Sequence, residues 1–315
     1  MSNMLQSVDQ RTRLAGTNRL EVLLFSLGKD RETGREEVFG INVFKVKEVM
    51  HVPEITRAPD MPNSVEGMVS LRGVTIPVIN LPHYCNILAD KNPKIMIISE
   101  YNKHVQGFLV HAVDSIQRMA WEEVKVPPSI TAKQHGGLVT AVAEVANKGL
   151  VMIMDVEKIL TDAGGLYDDD SIYDGIPSMA DSNITALFAD DSSVARGLIC
   201  RTFDEMGIKH ISTVNGQDAW EKLNEIASAT EARGDSMREQ VQFILTDIEM
   251  PEMDGYVLTR KIKEDPRFAG IPVVMHSSLS AEANQSMGER VGADAYVAKF
   301  EPQELATTLV KVMSM

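Results

Sequence analysis

A chain of 315 residues, 44% hydrophobic and 24% charged, carries enough apolar material for two domains of ordinary size. Its net charge of −14 argues against nucleic acid or an acidic membrane surface as a partner, because both demand a basic footprint. The two cysteines, Cys85 and Cys200, support neither a disulfide framework nor a thiolate metal site, and no apolar run nears the roughly 20 residues needed to cross a bilayer, so a cytoplasmic protein without membrane insertion is expected.

Residues 1–19 read as a polar N-terminal segment, and residues 20–163 as a β-rich domain. Leu20 to Leu27 is a strand that a charged turn around Gly34 connects to a partner strand, Val38 to Ile41. The threefold spacing of Val43, Val46, Val49 and Met50 predicts a short helix. Glu66 to Leu81 reads as a second hairpin, and Pro77, which cannot donate to a ladder, predicts an edge strand or a bulge at that point. Further strands are expected at 94–99, 105–110, 138–144 and 150–154, giving an all-β antiparallel barrel or pair of barrels. Met68 to Tyr84 and Val142 to Ile159 echo each other: strand, turn, strand, Asn or Asp, short helix. The histidines form no His-x-x-x-His pair, and no phosphate loop, nucleophile elbow or dinucleotide fingerprint occurs, so this half is expected to lack catalysis.

The run Gly67-Met68-Val69-Ser70-Leu71-Arg72-Gly73-Val74-Thr75-Ile76-Pro77-Val78-Ile79-Asn80-Leu81, with Phe39-Gly40-Ile41 to Val49 before it, resembles the CheW-like coupling domain of chemotaxis. The resemblance implies a double barrel whose partners are chemoreceptor cytoplasmic tips and a histidine kinase. It also puts Gly67 and Arg72 on partner-binding surfaces. Read as residues alone, Gly67 serves a turn and Arg72 is a solvated barrel charge as readily as either serves an interface.

Residues 164–183 are rich in Gly and Asp with little periodicity and read as an acidic linker. From 184 to 315, strands alternate with amphipathic helices, which predicts a doubly wound, five-stranded parallel sheet. Residues 228–240 are a polar insertion expected to extend a helix or form a loop. Four strands end in chemistry: Ile184 to Ala189 in Asp190-Asp191, Val241 to Leu245 in Asp247, Val273 to His276 in Ser277, and Ala295 to Ala298 in Lys299. Asp247 alone, beside Met250-Pro251 and Gly255, is as readily a turn-capping residue as a site. As parallel neighbours, the four ends converge at the edge where open sheets bind ligands. Three carboxylates together repel, and a hard cation such as Mg²⁺, held by Asp190, Asp191 and Asp247, makes the cluster tolerable. Asp247 can then attack phosphorus, with Lys299 and the Ser277 hydroxyl stabilising charge on the phosphoryl oxygens.

Asp190-Asp191, Asp247 followed by Met250-Pro251-x-Met253-Asp254-Gly255, Ser277, and Tyr296-x-x-Lys299 together resemble the flavodoxin-like receiver domain of bacterial two-component signalling. That resemblance implies an aspartyl phosphate on Asp247 taken from a phosphohistidine, the backbone carbonyl of Glu249 in the metal shell, and Ser277 with Tyr296 as a switch. Receivers usually carry a cis proline after the lysine, whereas Phe300 stands here and Pro302 comes two residues later. The order of coupling domain then receiver resembles the CheV-type chemotaxis scaffolds. It implies a phosphorylation-regulated adaptor without a separate enzymatic module. Two alternatives stand beside it: a phosphatase that uses Asp247 as nucleophile with Glu249 at the general-acid spacing, and a phosphate sink that leaves coupling unaltered.

Overall fold

In the computed structural model, the described residues are 19–314 apart from 58, 60, 63, 90, 102–103, 128–137, 165–169, 180–182, 278–287 and 289. The chain divides into two compact units, one of Leu20–Met119 with Glu123–Leu166 and a second that includes Tyr167–Met315.

In the first unit the strands are β1 (Arg19–Ser26), β2 (Val38–Asn42), β3 (Val46–His51), β4 (Val65–Leu71) and β5 (Val74–Asn80), then helix α1 (Leu81–Tyr84). There follow β6 (Ile95–Tyr101), β7 (His104–Val110), β8 (Ala112–Ala120), β9 (Val124–Lys125), β10 (Val139–Val145), β11 (Gly149–Met154) and helix α2 (Val156–Gly164). They form a six-stranded sheet, β8-β1-β2-β11-β10-β9, and a five-stranded one, β3-β6-β7-β5-β4. The β-rich double architecture is as expected, but it is not wholly antiparallel, since β11 runs parallel to β2 and β5 parallel to β7. The internal echo is real at atomic detail. Strands β4 and β10 share one alternation of burial, and each hairpin ends in a side-chain cap, Asn80 Oδ1 to His83 N at 3.1 Å and Asp155 Oδ1 to Lys158 N at 3.0 Å.

Two expectations fail here for physical reasons. The stretch from Val43 holds only one 3₁₀ turn, Val43–Lys45, before β3 begins, because the β-branched residues at 43, 46 and 49 pack as well on a sheet. Pro77 sits in an interior strand, between β4 and β7, but the ladder to β7 begins only at Val78, so its missing donor falls outside that ladder. The bulge lies instead on the partner strand, between Val65 and Gly67.

The second unit has β12 (Thr185–Ala189), α3 (Ser193–Met206), β13 (Lys209–Thr213), α4 (Gly216–Arg233), α5 (Met237–Gln240), β14 (Phe243–Asp247), α6 (Gly255–Glu264), β15 (Val273–Ser277), β16 (Ala295–Ala298) and α7 (Pro302–Met313). All five strands are parallel in the order β13-β12-β14-β15-β16. The helix expected between β15 and β16 falls largely outside the described residues. The polar insertion is the end of α4 followed by α5. Every residue of β14 is buried, as its unbroken apolar run requires of a central strand covered on both faces. On one face Phe203 of α3 stands edge-on to Phe188 and to Phe243, both at 5.7 Å. The other is packed by Leu223, Leu258 and Ile262 from α4 and α6.

The stretch expected to be a plain linker is partly built into this unit. Asp170–Tyr173 forms a 3₁₀ turn, Tyr173 is buried, and the Arg201 guanidinium lies 4.1 Å from its ring centroid while pairing with Asp170 at 2.7 Å. Farther along, Met179 N–H donates to the Met206 carbonyl at 2.7 Å, and Gln303 Nε2 donates to the Asp174 carbonyl at 2.9 Å. Residues 170–179 are therefore a strap held by α3 and α7. The Gly and Asp content around them masked the anchors Tyr173, Ile176 and Met179, although they recur every third residue.

Candidate functional site

Parallel strands ending in register bring the expected groups to one edge. Asp190 follows β12, and Asp247, Ser277 and Lys299 end or follow β14, β15 and β16. Pairing of Asp247 with His276 and of Ser277 with Ala298 keeps these ends level, and Lys299 N–H donates to the Ser277 carbonyl at 2.9 Å. Carboxylate oxygens of Asp190, Asp191 and Asp247 all lie within 4.8 Å of one another. Asp190, Asp247, Ser277 and Lys299 are almost wholly buried, and Asp191 is half-exposed at the mouth.

The buried ammonium of Lys299 sits between two acids, 2.8 Å from Asp190 Oδ2 and 2.9 Å from Asp247 Oδ2. Each acid offers its other oxygen to a backbone amide: Asp190 Oδ1 accepts from Ser192 N–H at 2.9 Å, and Asp247 Oδ1 from Ile248 N–H at 2.7 Å. Backbone donors favour the ionised form and fix the carboxylate rotamers. Three carboxylates against one ammonium leave the cluster net negative, and its all-oxygen donors suit a hard divalent cation. The residues present thus fit Mg²⁺.

The loop after Asp247 returns at once into α6. Asp254 caps that helix, its Oδ1 accepting from Val257 N–H at 2.7 Å, and burial pushes its carboxyl up to about 6. Gly255 follows because a Cβ there would strike the carbonyl of Asp247 itself. Glu249 lies half-buried in this loop, two residues beyond Asp247. Tyr296 is half-buried against the cluster of Ile248, Tyr256 and Met275. At Phe300 the chain reverses without a cis bond. Every peptide among the described residues is trans, and Phe300 takes φ +65°, with its ring buried.

Gly67 and Arg72 lie in the other unit, on the β4–β5 hairpin. Gly67 is buried at φ +154°, where a Cβ would meet the Thr56 carbonyl oxygen and Ile55 Cγ2, each at 2.5 Å, so the backbone already requires glycine. Arg72 is exposed at the turn and reaches Glu48 at 2.8 Å. Sequence reasoning missed Arg196, whose Nη1 donates to the Asp190 carbonyl at 2.8 Å. Its signal was available: Ser192 is a recognisable N-cap, and a long side chain in the first helical turn leans back over the end of the helix.

Comparison with known proteins covers both units. A model of the CheW-like domain matches residues 21–164, and a model of the response regulator receiver domain matches residues 186–310. Chemotaxis protein CheV3 of Helicobacter pylori is 33% identical over 283 residues, spanning 88% of this chain and 89% of that protein. Chemotaxis protein CheV1 of the same organism is 27% identical over 333 residues, spanning 100% of both. Chemotaxis protein CheW of Klebsiella aerogenes is 27% identical over 154 residues, which is 48% of this chain and 87% of that protein. Among the described residues, no helix is long and apolar enough to cross a membrane.

Proposed function

The chain belongs to the CheV family of chemotaxis proteins, CheW-like domain fused to receiver, and on that premise we propose that it is a cytoplasmic adaptor coupling chemoreceptor tips to a histidine kinase under control of Asp247 phosphorylation. The observation that carries the reading is the junction of Asp190, Asp191, Asp247 and Lys299 on one sheet edge, in a chain whose other unit is CheW-like.

An Asp247 oxygen attacks the phosphorus of a phosphohistidine. The P–N bond breaks with its electron pair returning to imidazole, and an acyl phosphate forms. Lys299, already between Asp190 and Asp247, exchanges a carboxylate contact for a phosphoryl oxygen, and Ser277 donates its hydroxyl proton to another. Asp190, Asp191, Asp247 and the Glu249 carbonyl would hold Mg²⁺, which supplies charge neutralisation for the phosphoryl group. Water later attacks phosphorus and releases phosphate, regenerating the carboxylate. Drawing Ser277 inward leaves room for the Tyr296 ring to leave its half-buried seat. The face so remodelled then changes how the receiver engages residues 164–183 and, through them, what the CheW-like domain does.

Gly67 and Arg72 belong to this proposal as features of the partner-binding hairpin, Gly67 by shaping it and Arg72 by direct contact. The phosphatase alternative rests on the spacing of Glu249 from Asp247 alone, whereas the CheW-like match in the same chain favours the adaptor. Labelling with acetyl phosphate should disappear in Asp247→Asn, and labelling that persists removes the reading. Binding of the full chain to receptor and kinase should change with beryllofluoride and lose that response in Ser277→Ala. Identical binding in both states would leave a phosphate sink instead.

A further inference from the structure

The mechanism above gives no part to Arg196, yet that side chain is the outermost member of a frame built around Asp190. The Asp190 carboxylate is held at Oδ1 by Ser192 N–H and at Oδ2 by Lys299, and its N–H donates to the Thr213 carbonyl at 3.3 Å. Thr213 is itself tied back to β12, its Oγ1 donating to the Phe188 carbonyl at 2.7 Å. One polar group of the residue remains, the backbone carbonyl, and Arg196 Nη1 donates to it at 2.8 Å. That carbonyl belongs to the peptide unit joining Asp190 to Asp191. Its orientation sets the direction in which the Asp191 Cα–Cβ bond leaves the loop.

We propose that Arg196 is a positioning residue for cation binding: by clamping the Asp190–Asp191 peptide it holds the half-exposed Asp191 carboxylate in reach of a divalent cation that Asp190 and Asp247 share. The inference rests on the reading of these acids as the Mg²⁺ site. Two effects of opposite sign separate it from a general electrostatic role. A guanidinium near the site repels a cation, so if charge were all that Arg196 contributed, its removal would tighten Mg²⁺ binding. A clamp acts the other way, because groups that orient metal ligands typically account for 10–100-fold in affinity.

The test is calorimetric titration of the full chain with Mg²⁺ alone, alongside melting temperature in a chelator. Arg196→Met keeps the aliphatic stem and so the helix packing, while removing donor and charge. Its Mg²⁺ affinity should fall about 10-fold with little change in the chelated melting temperature, and Arg196→Lys, which restores a cationic donor, should recover most of the loss. Affinity equal to or tighter than that of the parent in Arg196→Met overturns the proposal, as does failure of Arg196→Lys to recover any of it. Asp191→Ala distinguishes the two levels of the argument. If it binds Mg²⁺ as the parent does, the acids are not the cation site. If it loses binding while Arg196→Met does not, the site stands and only the clamp falls.

Discussion

Replacing Lys299 by methionine tests how the acidic edge is stable in the absence of a metal. The ammonium is 2% exposed and lies 2.8 and 2.9 Å from Asp190 and Asp247. At an effective dielectric of about 20, each contact is worth about 6 kcal/mol gross. Carboxylate oxygens within 4.8 Å repel by at least about 3.5 kcal/mol per pair on the same basis, so the two attractions offset repulsions of at least similar total size among the acids. Desolvation of the ammonium offsets much of this, and loss of one partner of a buried pair typically costs 3–5 kcal/mol, a large part of the 5–15 kcal/mol that holds a domain folded. Lys299→Met should therefore lower the stability of the metal-free receiver by about 3–5 kcal/mol, and with both proteins saturated by Mg²⁺ the loss should shrink by about 1.4 kcal/mol for each tenfold by which the substitution tightens Mg²⁺ binding. Urea denaturation followed through Trp220, which packs edge-on to Phe268 at 5.8 Å, reads this unit in a Trp121→Phe background. A loss under about 1 kcal/mol without Mg²⁺, or an equal loss with and without it, would refute the idea that lysine and cation neutralise the same charges.

Burial makes Asp254 bind its proton more tightly in the folded chain, at about 6 rather than the ordinary carboxyl value of 3.8, so its contribution favours folding below pH 4 and is lost as pH rises toward 6. Asp254→Asn keeps the acceptor for Val257 N–H, and should raise stability at pH 7.5 by about 2 kcal/mol while flattening the pH profile between 4 and 6; an unchanged profile counts against it. Gly67→Ala should destabilise the CheW-like unit by about 2 kcal/mol or more in thermal unfolding, because its Cβ meets backbone at 2.5 Å; a neutral substitution would return Gly67 to a purely interfacial role. Tyr173→Ala removes a buried ring and its stacking on Arg201, and should expose 170–179 to limited proteolysis at a receiver stability reduced by about 2 kcal/mol. Unchanged protection would mean that the strap is held without Tyr173.

The acidic edge was legible because its signal is local in sequence and the fold adds only alignment. Each chemical group follows an apolar run, and a parallel sheet converts four run ends into one place. Hairpins were legible for the same reason: turn residues and strand pattern coincide at Gly34, Gly73 and Gly149. What escaped depended on partners far along the chain. Strand β8 (Ala112–Ala120) was not among the expected strands, because about half of its residues are polar and only Met119 is buried, and its pairing with β1 lies far back along the chain. The parallel pairings β2–β11 and β5–β7 leave no mark in composition at all. Tyr173 and Met179 look like linker residues until α3 and α7 supply their partners. Gly67 was noticed for its resemblance to a binding surface, whereas its φ and the Thr56 carbonyl give a backbone reason for glycine that a sequence cannot display.

The two helices that hold the strap both begin at the acidic edge. Helix α3 starts at Ser193, capped by Ser192, whose own N–H holds Asp190; eight residues farther on, Arg201 grips Asp170 and Tyr173. Helix α7 starts at Pro302, three residues after Lys299, and Gln303 in its first turn holds the Asp174 carbonyl. On the proposed mechanism, a displacement of Lys299 toward a phosphoryl oxygen would pull on Phe300, which is already held at φ +65° with its ring buried and has little freedom to absorb the motion. The start of α7 would then take up the motion, and with it the Gln303 contact. Release of that one hydrogen bond, worth about 1 kcal/mol, shifts the strap between held and free by roughly fivefold. Regulation in the proposed adaptor needs no larger change than this, because the strap precedes the receiver and joins it to the CheW-like domain, so its release alters the tether between the two. Hydrogen exchange at 170–179 should accordingly rise with beryllofluoride in the parent and stay constant in Gln303→Ala. An equal rise in both would place the transmission outside α7.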